Sequence, residues 1–279
     1  MTAEVLASKV IHTDDTPVPV LDRSLERTRT ARLWVYVGDR EHPFTVFDYT
    51  VSRKRDGPAK FLERFRGYLQ ADAYGGYDGI YAGGGVVEVA CWAHARRKFF
   101  DSKTSDPARA HVALSWIKKL YEIEHTAKDL SSPDRATMRR EKSKPLLESF
   151  RAWLDAESRA VLPKSPMGTA FGYAISNWTA LARYVEDGDL DPDNNEAERA
   201  IRPVAIGRKN WTFCGSDNGG RTAAVLLSVC STCRSLGVNP WAYIRDVLIR
   251  VSIDPASQIR ELLPDRWQPR TAETPASVS

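Results

Sequence analysis

The segment SKVIHTDDTPVPV, Ser8–Val20, is short and rich in β-branched residues, and it predicts the first strand of a sheet. Two further segments of the same character follow, ARLWVYVGD at 31–39 and PFTVFDYTV at 43–51. Polar, charged linkers separate the three segments. Three successive strands of this kind indicate an antiparallel meander.

The chain beyond the meander changes its hydrophobic period. GPAKFLERFRGYL at 57–69 has a helical pattern, LQADAYGGYD at 69–78 predicts a strand and a loop, and VVEVACWAHARRKFF at 86–100 predicts a buried strand that runs into a basic helix. Three strands, a helix, a strand, a helix and a strand are the elements of an RNase H-like fold. We therefore predict an α/β fold, an RNase H-like mixed sheet with a helical insertion and a helical C-terminal extension.

The later helical signals give the predicted domain boundaries. Amphipathic, charged segments such as HVALSWIKKLYEIEHTAKDL occupy the middle of the chain. We predict an RNase H-like domain at 1–221 with a helical insertion at about 101–172, a helical C-terminal extension at 222–268 and a disordered tail at 269–279.

Composition and cysteine usage narrow the class of protein. The chain has 279 residues, is 42% hydrophobic and carries a net charge of +4, which permits contact with a polyanion without requiring it. No run of about 18 apolar residues and no signal-peptide pattern occurs, so we expect a cytoplasmic protein. Cys230 and Cys233 form a CxxC, but their apolar helical surroundings favour core residues over a metal or redox pair.

Carboxylates occur at three places that the predicted fold brings together. Asp14 and Asp15 lie at the end of the first strand, Asp72 ends the fourth, and Glu196 and Glu198 lie on the helix of DPDNNEAERAIRPVAIGRKN, 191–210. Phosphodiester cleavage is served by two Mg²⁺ ions, which prefer convergent carboxylate oxygens. Only one member of each neighbouring pair can face such a site, and periodicity alone does not choose between them.

Each acidic residue also has a purely structural interpretation. Asp14 or Asp15 could shape the turn before Pro17, Asp72 could cap the glycine-rich loop, and Glu198 could pair with Arg202. We expect Asp193 and Asn194 to cap the late helix and begin its first turn, and Pro203 to end it.

Several motifs, taken in order, carry a resemblance to a known family. They are HTDDTPV, YLQADAYGGYD, ACWAHARRKFFD, DPDNNEAERAIRPVAIGRKNWTFCGSDNGG and the tail GVNPWAYIRDVLIRV with IRELLPDRW. Together, from Val10 to Trp267, the sequence resembles the insertion sequence sixty-six family of bacterial DDE transposases. The resemblance implies a Mg²⁺-dependent enzyme, with two ions and Mn²⁺ as a substitute, that cleaves DNA at transposon ends and joins the 3′-hydroxyl to target DNA.

The resemblance also selects the catalytic and metal-binding residues. The family motif that matches TDDTP makes Asp14 the first acid, with Asp15 facing away, and the motif LQAD makes Asp72 the second. In the family motif that matches DNNEAER, the acid is at the position of Glu198 and that of Glu196 is variable. Glu198 is therefore the third expected metal ligand.

Basic and aromatic side chains around these acids are the expected DNA contacts. They are Arg96, Arg97, Lys98, Arg199, Arg202, Arg208 and Lys209, with His94 and Trp211 as further candidates. A satisfied structural histidine and a core tryptophan are the alternatives for the last two. Trp178 is expected in the core.

The resemblance begins just before the first catalytic strand. Family members carry, ahead of this region, a helical segment and a cysteine-rich zinc-binding segment thought to recognise transposon ends, so we expect this polypeptide to hold the chemistry without specific end recognition of its own. Expected partners are DNA, further copies of the chain and accessory proteins of the same element, on the nucleoid. A nuclease without strand transfer and a non-catalytic DNA-binding partner remain alternatives.

Overall fold

The computed structural model describes residues 1–22 and 24–269, and these divide into two compact units. The first unit comprises residues 1–8, 15–53 and the chain from 200 onward, and the second comprises residues 9–14 and 54–199. One strand and one long helix contribute residues to both units. The predicted disordered tail, apart from residue 269, lies outside the described residues.

The described strands form one mixed sheet, as expected for an RNase H-like α/β fold. In chain order they are β1 (Val10–Val20), β2 (Arg29–Val37), β3 (Thr45–Thr50), β4 (Gly67–Ala71) and β5 (Val86–Ala90). Within the described residues the order across the five-stranded sheet is β3-β2-β1-β4-β5. Strands β2 and β3 pair antiparallel, as the meander predicts, whereas β1 with β4 and β4 with β5 pair parallel.

Helices make up most of the remaining structure. They are α1 (Thr2–Leu6), α2 (Asp56–Phe61), α3 (Asp78–Tyr81), α4 (Trp92–Asp101), α5 (Pro107–Thr126), α6 (Ser132–Met138), α7 (Lys144–Glu157), α8 (Pro166–Ser176), α9 (Trp178–Ala182), α10 (Asn195–Trp211), α11 (Asp217–Ser235) and α12 (Pro240–Arg250). A short 3₁₀ segment, Ala256–Leu262, follows α12. In the part of the chain that the structure describes, no helix has both the length and the apolar composition needed to cross a bilayer.

In the first unit, helix α11 covers the edge strand β3. Thr232 Oγ1 accepts the backbone N–H of Thr45 at 3.0 Å, and Ser228 Oγ accepts that of Phe47 at 2.7 Å. The two hydroxyl residues are four apart and so lie on one face of the helix, matching alternate backbone groups of the strand. An edge strand with its hydrogen-bonding groups satisfied in this way is protected against pairing with another chain.

In the second unit, the core is aromatic and largely helical. The buried Trp92 ring stacks on Phe150 with centroids 5.9 Å apart, and Trp178 meets both rings edge-on at 5.8 Å. Trp178 is therefore a packing residue, as expected. Arg139 is also buried here, where its guanidinium binds Glu124 and three backbone carbonyls of residues 184–190.

Two local expectations about helices are wrong. The helical pattern at 57–69 gives only α2, because Gly67 adopts a φ of +146° and begins β4, where a Cβ would lie 2.5 Å from the carbonyl oxygen of Lys9. Pro203 does not end its helix, since α10 continues to Trp211. Ile201 and Val204, on either side of the proline, are both buried, and this packing offsets the hydrogen bond that proline cannot donate.

Candidate active site

The register of β1 and β4 relates the positions of Asp14 and Asp72. Val10, Ile11 and His12 pair with Tyr68, Leu69 and Gln70, a constant offset of 58 residues. Strand β4 ends at Ala71, so Asp72 lies one residue beyond it, whereas Asp14 lies within β1. Continued past the paired residues, the same offset would bring Asp14 and Asp72 level on neighbouring strands, which lie about 4.8 Å apart.

The two aspartates also share a face of the sheet. His12 and Gln70, two residues before them, both contact the segment 191–194: His12 Nδ1 lies 3.3 Å from Asn194 Oδ1, and Gln70 Nε2 donates to the carbonyls of Asp191 and Asp193 at 2.5 and 2.8 Å. Side chains two apart on a strand point the same way. By this alternation Asp14 faces the side of the sheet on which α10 begins, and Asp72 would face the same side if the geometry of β4 continued one residue further.

Asn194 fixes the start of α10 to the strands that carry the site. It is fully buried, and its side-chain amide donates to the carbonyl of Thr13 at 2.8 Å. Its backbone N–H donates to Cys91 Sγ at 3.2 Å, and the Trp92 N–H donates to the carbonyl of Pro192 at 2.9 Å. The start of α10 is thus held to Thr13, within β1, and to Cys91, directly after β5.

Glu198 lies in that first turn, and its neighbour Glu196 has different surroundings. Glu198 Oε1 lies 3.8 Å from Nδ1 of His94, and its side chain is 42% exposed. Glu196 is 52% exposed and pairs with Arg199 at 3.1 Å.

Asp15, the residue after Asp14, belongs to the first unit and is fixed by two arginines. Its side chain is 3% exposed, and its oxygens lie 2.9 Å from Arg32 Nη1 and 2.8 Å from Arg53 Nη2. A buried carboxylate with two cationic partners is a structural ion pair. Asp15 therefore has a role different from that expected of Asp14.

Burial tunes several ionisable groups near the start of α10. Burial lowers the pKa of His12, which is therefore neutral near pH 7, and raises the pKa of Asp191. Burial also raises the pKa of the Cys91 thiol to about 11. The hydroxyl of Tyr173 donates to the backbone carbonyl of Asp72 at 3.2 Å, and burial raises its pKa as well.

Cys91, His94 and Glu198 form a second set of possible metal ligands. Their sulfur, nitrogen and carboxylate oxygen lie within 4.8 Å of one another. Of the three predicted acids, Glu198 belongs to this group, whereas Asp14 and Asp72 do not. Nδ1 of His94 is buried and has no hydrogen-bond partner within residues 1–22 and 24–269.

The expected DNA contacts of the second unit lie mainly on α4. Arg96 and Arg97 are exposed, and Nζ of the partly buried Lys98 lies 4.8 Å above the ring of Tyr173. The Tyr173 hydroxyl also donates to the backbone carbonyl of Asp72, so Lys98 lies on the side of α4 that is nearer Asp72. Arg199, in α10, is 67% exposed and bonded to Glu196.

The expected DNA contacts of the first unit lie on the second half of α10. Arg202 and Lys209 are exposed, and Trp211 is 38% exposed. Arg208 instead donates to Thr16 Oγ1 at 2.8 Å and to the carbonyl of Pro17 at 2.7 Å. Its guanidinium therefore braces the second half of β1.

Comparison with known proteins assigns the family. The model of the Transposase IS66 family matches residues 1–222, and that of the IS66 C-terminal element matches residues 228–264. The chain belongs to the IS66 transposase family. The two matches cover nearly all of the described structure, including the strands that bear Asp14 and Asp72 and the helix that bears Glu198.

Similar proteins occur in Sinorhizobium fredii (strain NBRC 101917 / NGR234). The uncharacterized protein y4hP is 36% identical over 295 residues, covering 98% of this chain and 53% of its own length. The uncharacterized proteins y4qI and y4jD are 33% and 31% identical, covering 93% and 92% of this chain. The chain spans about half the length of these curated relatives.

Two residues of the site went unrecognised in the sequence. Asp193 and Asn194 are expected to be cap and first-turn residues; Asp193 Oδ1 accepts the Asn195 N–H at 3.1 Å, whereas the Asn194 side chain is buried against β1. Cys91 is not among the predicted site residues. Its spacing of three from His94, across the start of a helix, is the local signal that could have identified it.

Proposed function

We propose that this chain is the catalytic region of a transposase that cleaves DNA at transposon ends and transfers the freed 3′-hydroxyl to target DNA. Family membership supports a transposase role. The observation that carries the proposal is the offset of 58 residues between β1 and β4, which, continued past the paired residues, supports an arrangement with Asp14 opposite Asp72.

The donor chemistry of these acids fits a hard divalent ion. Two carboxylates directly opposite each other on neighbouring strands repel, and a cation held between them turns that repulsion into attraction. Asp14, Asp72 and Glu198 would hold Mg²⁺, two ions in the full reaction, with Mn²⁺ as a substitute. The bound metal supplies activation of the attacking oxygen and stabilisation of the leaving oxygen.

The remaining residues position DNA and the third acid. Asn194, Gln70 and Cys91 hold the first turn of α10 to the strand ends and thereby orient Glu198. Arg96, Arg97 and Lys98 of α4, and Arg199, would bind phosphates. In the first unit, Arg202 and Lys209 would add phosphate contacts and Trp211 an aromatic face for an unpaired base.

Partners and location follow from the reaction. The substrates are transposon ends and target DNA. We expect self-association on paired ends, contact with accessory proteins of the same element, and action on the bacterial nucleoid. A single species of monomer mass on end DNA in light scattering would contradict the self-association.

The test is divalent-ion-dependent cleavage and joining on labelled duplexes that include candidate end sequences. The wild type should cut with Mg²⁺ or Mn²⁺ and yield joined products, and Glu198→Gln should bind DNA without cutting. Glu196→Gln, two residues away on the same helix, is the matched control and should behave as the wild type.

The products separate the alternatives. Cleavage without joining would show a nuclease and overturn the transposase assignment. DNA binding that is never followed by cleavage, and that is indifferent to Glu198→Gln, would show a non-catalytic partner.

A further inference from the structure

The group formed by Cys91, His94 and Glu198 differs in chemistry from the carboxylates of the proposed Mg²⁺ site. Cys91 is the last residue before α4, His94 lies in its first turn, and Glu198 lies in the first turn of α10. A thiol, an imidazole and a carboxylate are the ligand types of zinc sites, whereas Mg²⁺ takes oxygen ligands. We propose that these three residues bind a soft divalent transition ion, Zn²⁺ or one of its kind, and that an ion bound there withdraws Glu198 from the Mg²⁺ site.

The three ligand atoms need to move only slightly closer together to bind such an ion. Tetrahedral Zn²⁺, with bonds of about 2.0–2.3 Å, separates its ligand atoms by roughly 3.3–3.6 Å. Nδ1 of His94 and Oε1 of Glu198 are already 3.8 Å apart, and the three ligand atoms lie within 4.8 Å of one another. The 42% exposed side chain of Glu198 has room to rotate inward.

Two of the three proposed ligands, His94 and Cys91, have surroundings that favour metal binding. Nδ1 of His94 is buried and lacks a hydrogen-bond partner among the described residues, so a metal would satisfy it. The backbone N–H of Asn194 already donates to Cys91 Sγ, and such a bond stabilises a metal-bound thiolate. Binding forms the sulfur, nitrogen and oxygen bonds to the ion and releases the Cys91 thiol proton to solvent.

The consequence for activity rests on the proposed function, whereas the binding itself does not. Imidazole and thiolate ligands select Zn²⁺ over Mg²⁺, so millimolar Mg²⁺ would not displace the ion. A Glu198 carboxylate that binds Zn²⁺ and turns toward His94 would be a poorer ligand for Mg²⁺. Zn²⁺ is therefore expected to inhibit Mg²⁺-supported cleavage, and the inhibition should grow with occupancy of the Cys91 site.

The binding test uses Co²⁺ as a spectroscopic substitute for Zn²⁺ on the metal-free full chain. We expect one equivalent to bind with a sulfur-to-cobalt charge-transfer band, which reports thiolate ligation without any activity measurement. Cys91→Ser should abolish the band. Since changes around a metal's ligands already cost 10–100-fold in affinity, His94→Gln and Glu198→Gln should each weaken binding by about 100-fold or more.

The other cysteines provide the controls. Cys214→Ser removes a buried thiol of the first unit and should leave the band unchanged. A band that survives Cys91→Ser and disappears with Cys233→Ser would place the ion at the CxxC of α11 and overturn the proposal. Because Cys91 is buried, circular dichroism must show that Cys91→Ser is folded; if it is not, unchanged cobalt affinity in the partly exposed Glu198→Gln overturns the proposal instead.

The two proposals fail in different ways. If cobalt binds as described but the chain never cleaves DNA, the site stands and the transposase proposal falls. If cleavage occurs but Zn²⁺ neither binds at Cys91 nor inhibits, measured against each variant's own Mg²⁺ activity, the metal-site inference is wrong.

Discussion

The surroundings of two consecutive aspartates on β1 are opposite in kind. In the first unit, Asp15 is 3% exposed and lies between the guanidinium groups of Arg32 and Arg53. In the second unit, Asp14 is partly exposed on β1, whose parallel neighbour β4 ends one residue before a second carboxylate, Asp72. Asp15 is thus a buried residue fixed by two arginines, and Asp14 is a proposed metal ligand.

The largest effect that would test this contrast is on cleavage. If Asp14 and Asp72 are metal ligands as proposed, Asp14→Asn and Asp72→Asn should each remove an oxygen charge worth several kcal/mol in the transition state. A loss of about 4 kcal/mol lowers the rate by about a thousandfold. Cleavage rates on a labelled duplex measure it.

Asp15→Asn is the matched control for that loss. Well below the temperature at which the variant unfolds, its cleavage rate per folded molecule should stay within about twofold of the wild-type rate. The reason is that Asp15 has a structural role and is not a proposed metal ligand. A thousandfold loss in Asp15→Asn, with Asp14→Asn active, would reverse the assignment of the two aspartates.

The second effect is on stability, where Asp15→Asn should have a larger effect than Asp14→Asn, the reverse of the order expected for cleavage. Asp15→Asn leaves two arginines without their buried partner and should lower the free energy of unfolding by about 3 kcal/mol. Asp14→Asn changes a partly exposed side chain and should lower the free energy of unfolding by less than Asp15→Asn does. Urea denaturation of both variants checks this, and equal destabilisation would remove the contrast.

Asn194→Ala should have an intermediate effect, and it should lower both the free energy of unfolding and the Mn²⁺ affinity. It leaves the buried carbonyl of Thr13 without its donor, which costs about 1–3 kcal/mol. Because Asn194 positions the first turn of α10, Mn²⁺ affinity should fall as well. Asp193→Ala, which removes a cap but no buried contact with β1, should lower stability by about 1 kcal/mol and keep the Mn²⁺ affinity.

The smallest effect concerns the two glutamates of α10. Glu196 is exposed and forms a surface pair with Arg199, so Glu196→Gln should change the free energy of unfolding by less than about 0.5 kcal/mol. Thermal unfolding with and without Mn²⁺ measures it. A loss of the Mn²⁺-induced stabilisation in Glu196→Gln, but not in Glu198→Gln, would mean that the wrong glutamate has been chosen.

Much of the fold follows from local patterns. The β-branched segments predict β1, β2 and β3, and the family resemblance to TDDTP and LQAD selects Asp14 and Asp72 as the acids. The period of a strand establishes that Asp14 and Asp15 face opposite ways, but not which of them faces the site. That choice depends on Arg32, Arg53 and the register of β4, all of which are distant in sequence.

The rest of the site depends on contacts that no local pattern encodes. Asn194 is expected to be a residue of the first helical turn, but it is a buried link because Thr13 and Cys91 lie beside it in the fold. Pro203 has the sequence of a helix end, yet the buried Ile201 and Val204 extend α10 beyond it. Long-range packing overrides the local signal in both cases.

Electron paramagnetic resonance of Mn²⁺ bound to the full chain tests the central claim most directly, since it counts bound ions without requiring a DNA substrate. The wild type and Asp15→Asn should bind Mn²⁺ with equal affinity, and Asp14→Asn and Asp72→Asn should lose that binding. Equal Mn²⁺ binding by the wild type, Asp14→Asn and Asp72→Asn would contradict the account, because the paired aspartates would then not be the metal site.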